Sequence, residues 1–280
     1  MKNPICLSPL KFYDDVAKQY RYKSYAYKHI SPVITPLHII PAFQFVLQSQ
    51  ITTIVSIYIK DENNNVVTEN VLSDFEQAGL AIKNIDDYRV VMFCNQNAMF
   101  ESLSEGYYYI EINFSNNKSY YSEIFCFTNN LNGYLQLEYW NESNDLHIKN
   151  GIISFADDFK LKIYVKYQKE IIFSFEEEAT ELLGYSKTES QVSKKQYAFI
   201  TIAPEYLCDA LRIVRLCDNK KITFENDEYD LIAFEMEAKW QEQGDLAIVT
   251  CRFESDQVIT NVIVENLAEF NIDFNMDFTI

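Results

Sequence analysis

Acid–base or metal chemistry in this 280-residue chain would have to be built from three histidines and a few carboxylate clusters. His29, His38 and His147 stand in no HExxH or HxH spacing, which argues against a catalytic zinc site. His147 lies two residues from Asp145, the one local imidazole–carboxylate pair, in a setting that reads as a surface turn. Asp61-x-Asn63-x-Asn65 opens like a calcium loop. An EF-hand then needs Gly at its sixth position and Glu at its twelfth, and Val66 and Leu72 stand there. Asp157-Asp158, Glu176–Glu178 and Asp227–Asp230 supply paired carboxylates of the kind that hydrolyse glycosides, but such clusters more commonly form solvated turns and faces. With six glycines in all and no P-loop, GxGxxG or GxSxG, a phosphate-cradling loop or nucleophile elbow is not written here. The expectation is a chain without catalytic residues, cofactor or metal site.

The six cysteines, Cys6, Cys94, Cys126, Cys208, Cys217 and Cys251, are scattered, with no CxxC pair. Cys94, Cys126 and Cys251 sit inside apolar strand patterns, where a thiol serves as a small hydrophobe. Free thiols in a reducing, intracellular setting fit this usage better than a disulfide framework. Met1–Leu10 holds Pro4 and Pro9 and no apolar stretch of signal-peptide type, and no run reaches membrane-helix length.

The elements announce themselves by period. In 231–240, Ile232, Phe234, Met236, Ala238 and Trp240 fall at every second position. In 247–253, Ala247, Val249, Cys251 and Phe253 do the same. Period-2 alternation marks strands with one buried face, and the polar stretch Gln241–Asp245 between them holds Gly244, so the pair predicts an antiparallel hairpin. A second hairpin is expected from Gly106–Phe114, a turn at Ser115–Lys118, and Ser119–Phe127. Further strands are expected at Ile51–Ile59, Val66–Val71 (after the turn Asp61–Asn65), Arg89–Cys94, Tyr134–Trp140, Ile152–Phe155, Lys160–Tyr167, Ile171–Phe175, Tyr197–Ile202, Lys221–Phe224 and Glu228–Ile232. Ser73–Ile82 suggests a short helical link. Pro204–Leu216 predicts a helix with Pro204 at its first position, and with Leu207, Leu211 and Val214 along one face. The acid–apolar alternation of Ile263–Ile280 suggests an added edge strand.

These elements divide the chain into an extended arm, 1–41, which holds five of the six prolines; a β-sandwich of immunoglobulin or fibronectin type, 42–130; and a second β-rich domain, 131–280, with one helix near 204–216. Trp140 and Trp240 close apolar strand patterns and are expected in the core. Tyr and Phe number 20 each against six Gly and six Pro, which favours strands over disorder.

Charge is unevenly placed. The arm carries six cations against two carboxylates, and the rest of the chain 18 against 39, within a formal total of −17. An acidic body repels nucleic acid. The arm segment 18–28 interleaves Lys18, Tyr20, Arg21, Tyr22, Lys23, Tyr25, Tyr27 and Lys28, the one stretch with partner-binding character. It can fold onto its own body or reach the acidic body of a second copy, with buried tyrosines supplying the affinity. The hairpin tip at Gln243, Gly244 and Asp245 is the second candidate contact. Neither nucleic acid nor a membrane is an expected partner; a glycan stacked on an exposed tryptophan is a further possibility.

Ala203-Pro-Glu-Tyr-Leu-Cys-Asp-Ala-Leu-Arg212, Lys221-Ile-Thr-Phe224 and Lys239-Trp-Gln-Glu-Gln-Gly-Asp-Leu246 together resemble a family of structural proteins encoded by phages and prophages of gut Bacteroidetes. Glu105-Gly-Tyr-Tyr-Tyr109 and Tyr120-Tyr-Ser-Glu-Ile-Phe-Cys126 are similar to the same proteins, so the likeness covers residues 90–255 and weakens over the arm. The resemblance implies a non-enzymatic virion component, tail- or baseplate-like, found in the bacterial cytoplasm during assembly and associating with itself or with other phage structural proteins. It supplies no catalytic residue. The alternative reading is a β-sandwich that binds carbohydrate or a cell surface.

Overall fold

The short polar turns and alternating strands expected from the sequence produce a mainly β chain. The computed structural model describes residues 8–19, 33–47, 53–94, 97, 99–142, 144–148, 151–166, 170–182, 185–224, 227–240 and 246–262. Its elements run β1 (Phe12–Tyr13), β2 (Val33–Pro36), β3 (Phe43–Leu47), β4 (Ile54–Asp61), α1 (Leu72–Gln77), β5 (Ala81–Ile85), β6 (Tyr88–Phe93), β7 (Gly106–Phe114), β8 (Ser119–Ser122) and β9 (Phe125–Thr128). They continue with β10 (Tyr134–Trp140), β11 (Leu146–Ile148), β12 (Gly151–Ile153), β13 (Leu161–Lys166), β14 (Glu170–Leu182), β15 (Tyr185–Pro204), α2 (Glu205–Val214), β16 (Asn219–Phe224), β17 (Asp227–Trp240) and β18 (Leu246–Val262).

One long sheet carries the order β1-β8-β7-β9-β2-β13-β10-β16-β17-β18-β15-β14, with β4 on the other edge of β7. A three-stranded sheet, β3-β6-β5, forms a second layer. The layers meet through rings. Phe12 of β1 lies 4.8 Å from Phe43 and 4.6 Å from Phe45 of β3, and Phe45 lies 5.7 Å from Tyr120 of β8. Phe75 of α1 closes one side against Phe93 at 4.7 Å. A single cluster of buried apolar residues runs from Leu10 to Phe253, crossing both the 41/42 and the 130/131 positions.

The arm's described parts pack on the chain's own body. Leu10, Phe12 and Tyr13 are buried, β1 pairs with β8, and β2 lies parallel to β9 while meeting β13 at Tyr164↔Ile34. Within the arm, Val16–Lys18 forms a 3₁₀ turn; Asp15 Oδ1 caps it by accepting the Ala17 N–H at 2.9 Å.

Elsewhere the sequence reading needs correction. Val66–Val71 is not a strand. It runs beside β4, but two of its four contacts there use side-chain oxygens: Thr68 Oγ1 accepts the Ile59 N–H and Asn70 Oδ1 the Ile57 N–H, both at 3.0 Å, alternating with Val67 N–H to Ile59 O and Val71 N–H to Ile57 O. The side chains supply acceptors that a regular ladder takes from carbonyls. Ser119–Phe127 is split in two at Glu123–Ile124. The buried Glu123 carboxylate accepts the Ile124 N–H at 3.1 Å and the Tyr13 hydroxyl at 2.9 Å, while the Glu123 N–H donates to Lys11 O. The break lets β8 take β1 as its outer neighbour and β9 take β2.

Pro204 is the cap of α2 rather than its first residue, because it still pairs with Leu246 at the end of the β15 ladder and keeps an extended ψ of 166°. The helix is buried nearly all round: Tyr206, Cys208, Ala210 and Ile213 join Leu207, Leu211 and Val214 in the core. The expected strand Glu228–Ile232 fuses with the closing hairpin into β17, and the register slips between Leu231 and Ala233. That bulge turns Leu231 inward and leaves Ile232 57% exposed, so Ile232 does not share the buried face of Phe234.

Because Phe12 joins both layers and is fully buried, Phe12→Ala is expected to cost about 3–5 kcal/mol. Urea unfolding checks it. A loss under 1 kcal/mol would mean that the arm does not anchor the fold.

Candidate docking face

Each carboxylate cluster that could have done chemistry is already engaged. Asp61 Oδ1 accepts the N–H groups of Asn63 at 2.9 Å and Asn65 at 2.8 Å, an Asx turn that closes Asp61–Asn65. Asp145 Oδ1 accepts the Phe155 N–H at 3.1 Å, while His147 is exposed on β11, so the pair serves a turn. Asp157 pairs with Lys83. Glu176 holds Lys194 at 2.8 Å, Glu177 accepts from Gln191 at 2.8 Å and Glu178 from Ser190 at 3.1 Å, all across the β14–β15 ladder. Lys221 pairs with Glu228 and, at 4.0 Å, with Asp230. Among the described residues no three His, Cys, Asp or Glu side chains gather as metal ligands would.

Of the arm residues singled out for partner binding, Lys18 is described: it ends the 3₁₀ turn and pairs with Asp14 at 2.5 Å. Tyr20, Arg21, Tyr22, Lys23, Tyr25, Tyr27 and Lys28 lie outside the described residues, as do Gln243, Gly244 and Asp245 at the hairpin tip. Trp140 is half-buried under Lys160, whose Nζ stands 4.0 Å from the ring centre. Trp240 is 51% exposed at the end of β17, contrary to the core placement expected from its strand pattern.

The unmatched feature is a face that the sequence pattern predicted only in part. β14 and β15 are 13 and 20 residues long, far beyond the expected Ile171–Phe175 and Tyr197–Ile202. Residues opposite one another in an antiparallel ladder share a face. One row therefore reads Ile171, Tyr197, Phe253, Phe234. The last three are buried, and Tyr197 stacks on Phe253 at 5.4 Å. Four residues further up β14, the next row but one reads Phe175, Ser193, Ile259. Here the same face has left the body: Phe175 is 78% exposed, Ile259 74%, and Phe173 between the rows 60%. Lys195, over the Tyr197 ring at 5.0 Å, stands where core gives way to solvent. The reverse face carries the Lys194–Glu176 pair. On the Phe175 side of the extension, Phe173, Phe175 and Ile259 stand among Lys195, Ser193, Glu177 and Gln191, and the three apolar side chains have no cover among the described residues, a feature that marks contact surfaces.

Comparison with known proteins gives no matching family model, no matching curated protein and no matching solved structure.

The five described thiols are held protonated by burial. Cys94, Cys126, Cys208, Cys217 and Cys251 are free, and burial pushes all five upward. Cys208 rises to about 11 and Cys217 to about 12 from an ordinary 9.0. Burial likewise lifts Tyr164 from 10.0 to about 12. These groups are neutral when protonated, and the fold favours that form. Below pH 9 both folded and unfolded chains hold the thiol protons, and the contribution is fully present. Above pH 9 the unfolded thiols ionise first, so stability is lost as pH climbs toward the folded values. Thermal melts are expected to drop between pH 9 and 11, and Cys217→Ala should flatten that fall. An unchanged slope in the variant would show that Cys217 is not held neutral by burial.

Proposed function

We propose that this chain is a non-enzymatic phage or prophage structural protein, a tail or baseplate component of the virion, assembled in the bacterial cytoplasm. It works by associating with its own copies or with neighbouring structural subunits. The observation that carries this reading is the uncovered apolar face of the β14–β15–β18 extension, with Phe173, Phe175 and Ile259 in solvent. The resemblance over residues 90–255 points the same way. So does the engagement of every described carboxylate cluster in the fold's own turns and ladders. The three side chains present on the order of 400 Å² of largely apolar surface, within the roughly 300–600 Å² of a typical monomer's largest patch, which is often functional.

A carbohydrate-binding role is the second reading, and the observation favouring it is the exposed indole of Trp240. Sugar stacking would place the contact on β17, away from Phe175 on the edge strand β14.

Native mass spectrometry and light scattering separate the two. The expected result is a defined oligomer, or a complex with a tail protein from the same genome, that Phe175→Asp weakens tenfold or more. Trp240→Ala should leave that association intact. A strict monomer that binds no such neighbour, but binds a glycan array through Trp240, would overturn the structural reading.

A further inference from the structure

The long sheet ends at β14, whose outer edge has no neighbour among the described residues. At 13 residues it is a long edge, and its two halves are guarded unequally. The distal half carries Glu176, Glu177 and Glu178, then a register shift at Glu178/Ala179. Charges and bulges of this kind keep an open edge from pairing with another chain. The proximal stretch, Ile171-Ile-Phe-Ser-Phe175, has no charge, proline or glycine, and its register against β15 is regular. It is also where the large apolar side chains Ile171, Phe173 and Phe175 stand exposed. An uncharged, strand-prone segment on an open edge is a template for one more strand.

That edge is complementary to itself. On one face the apolar positions are symmetric about Phe173, with Ile171 two residues before it and Phe175 two residues after. Two such edges laid antiparallel about a two-fold axis at Phe173 set Phe173 against Phe173 and, twice over, Ile171 against Phe175. On the reverse face Ile172 meets Ser174. The axis stands perpendicular to the sheet, so the Phe175 sides of both copies stay together; parallel pairing of the same edges would turn them to opposite sides. Moving the axis one residue, to Ser174, keeps two Phe173–Phe175 pairs but sets Ile171 against Glu177 and Ile172 against Glu176. Apolar matching and charge therefore select the same register.

We infer that the chain forms a two-fold dimer in which β14 of one copy pairs antiparallel with β14 of a second over residues 170–176, with Phe173 on the axis. The long sheet then runs on from one molecule into the next, in the order β18-β15-β14-β14-β15-β18 at the junction. A second copy is the occupant because 171–175 is uncharged. A chain of formal charge −17 meets itself there and brings carboxylates opposite one another only where Glu176 faces Glu170 of the second copy. Lys194, 2.8 Å from Glu176, offsets that charge. The contact is isologous, so it uses up the edge and stops at two copies instead of running on into fibres.

This pairing rests on the docking face proposed above and gives that face its first occupant. It buries on the order of 1,000 Å² in total, side chains and edge backbone together, which is the size of a reversible contact and not of an obligate one. Ile259, two strands in from the edge, remains uncovered on the same side in both copies. The two ideas fail separately: the edge pairing is read by cross-linking, and association by mass.

The test uses single cysteines in the full chain, Phe173→Cys beside Ser174→Cys, oxidised mildly, with the unaltered chain fixing the background from native thiols. A residue on the two-fold axis lies opposite its own copy, within disulfide reach. The expected result is a covalent dimer formed at least tenfold faster at 173 than at 174. A mixture of Ile171→Cys and Phe175→Cys chains, which keeps Phe173, is expected to give the mixed dimer ahead of either self-dimer. Equal rates at 173 and 174, or faster reaction at 174, would overturn the pairing. Association that Phe175→Asp weakens, with no cross-link at 173 or between 171 and 175, would sink the edge pairing and leave the docking face standing. A monomer throughout a dilution series would remove both. If the cysteine variants do not fold, hydrogen exchange in the unaltered chain decides. Alternate amides of 170–176 are expected to gain tenfold protection or more as concentration rises, and exchange independent of concentration would overturn the dimer.

Discussion

The fold depends on one short strand from the proline-rich arm. Among the described residues β2, four residues long, is the sole link in the long sheet between the β1-β8-β7-β9 group and the β13-β10-β16 group. It lies parallel to β9 over Val33–Pro36 and touches β13 through one antiparallel pair. So few ladder bonds do not hold two sheets alone. Burial does the rest: Val33 is buried, and Thr35, 1% exposed, donates its hydroxyl to Ile39 O at 2.7 Å. Pro36 at the strand's end and Pro41 beyond it restrict the chain as it passes from the long sheet to the second layer at β3. The arm is thereby a structural member, and its removal would open two sheets at once.

Buried polar side chains repeat the same economy. Gln44 bonds Ser154 twice, its Nε2 donating to Ser154 O at 2.8 Å and its Oε1 accepting the Ser154 N–H at 2.7 Å. The amide imitates one rung of a ladder and ties β3 to the residue after β12. Gln19 Nε2 reaches Ser122 O at 2.6 Å, and Ser122 Oγ accepts the Ile110 N–H at 2.9 Å. Where the backbone cannot run parallel long enough to pair, an amide or hydroxyl spans the gap, because an unpaired buried donor or acceptor costs about 1–3 kcal/mol. These links join residues up to 110 positions apart, and nothing local marks them.

That division explains what the sequence made legible. Period two located β7, β10, β13 and the closing hairpin, two of them to the residue, because each has one dry face and one wet one. Helix α2 was visible in its apolar spacing, though not its near-complete burial against the long sheet, where the Tyr139 hydroxyl of β10 donates to Ala210 O at 3.3 Å. Val66–Val71 imitates a strand in composition and fails as one, since Thr68 and Asn70 turn their side chains to work the backbone should do. Ile232 shows a deeper limit: a single bulge reverses a face, and no residue type announces it. For the candidate surface, alternation revealed that β14 has an apolar side but not that the body ends beneath it. Whether a face is covered is a property of the neighbouring layer.

Electrostatics then decides what kind of contact the face can make. A chain of formal charge −17 repels its own copies at long range, and at physiological salt that repulsion is screened beyond about 8 Å. Association must therefore come from short-range burial at a place where the local charge is already balanced. The extension comes near this condition: Lys194 pairs with Glu176 and Lys195 stands opposite the exposed Phe173, two cations beside the three carboxylates Glu176, Glu177 and Glu178. A contact driven by Phe173, Phe175 and Ile259 under these conditions strengthens as salt rises, since screening removes the repulsion without touching the apolar gain. A contact driven by the basic arm against an acidic body would weaken instead, because the same screening removes its attraction. The sign of the salt dependence thus separates the two surfaces that this sequence offers to a partner.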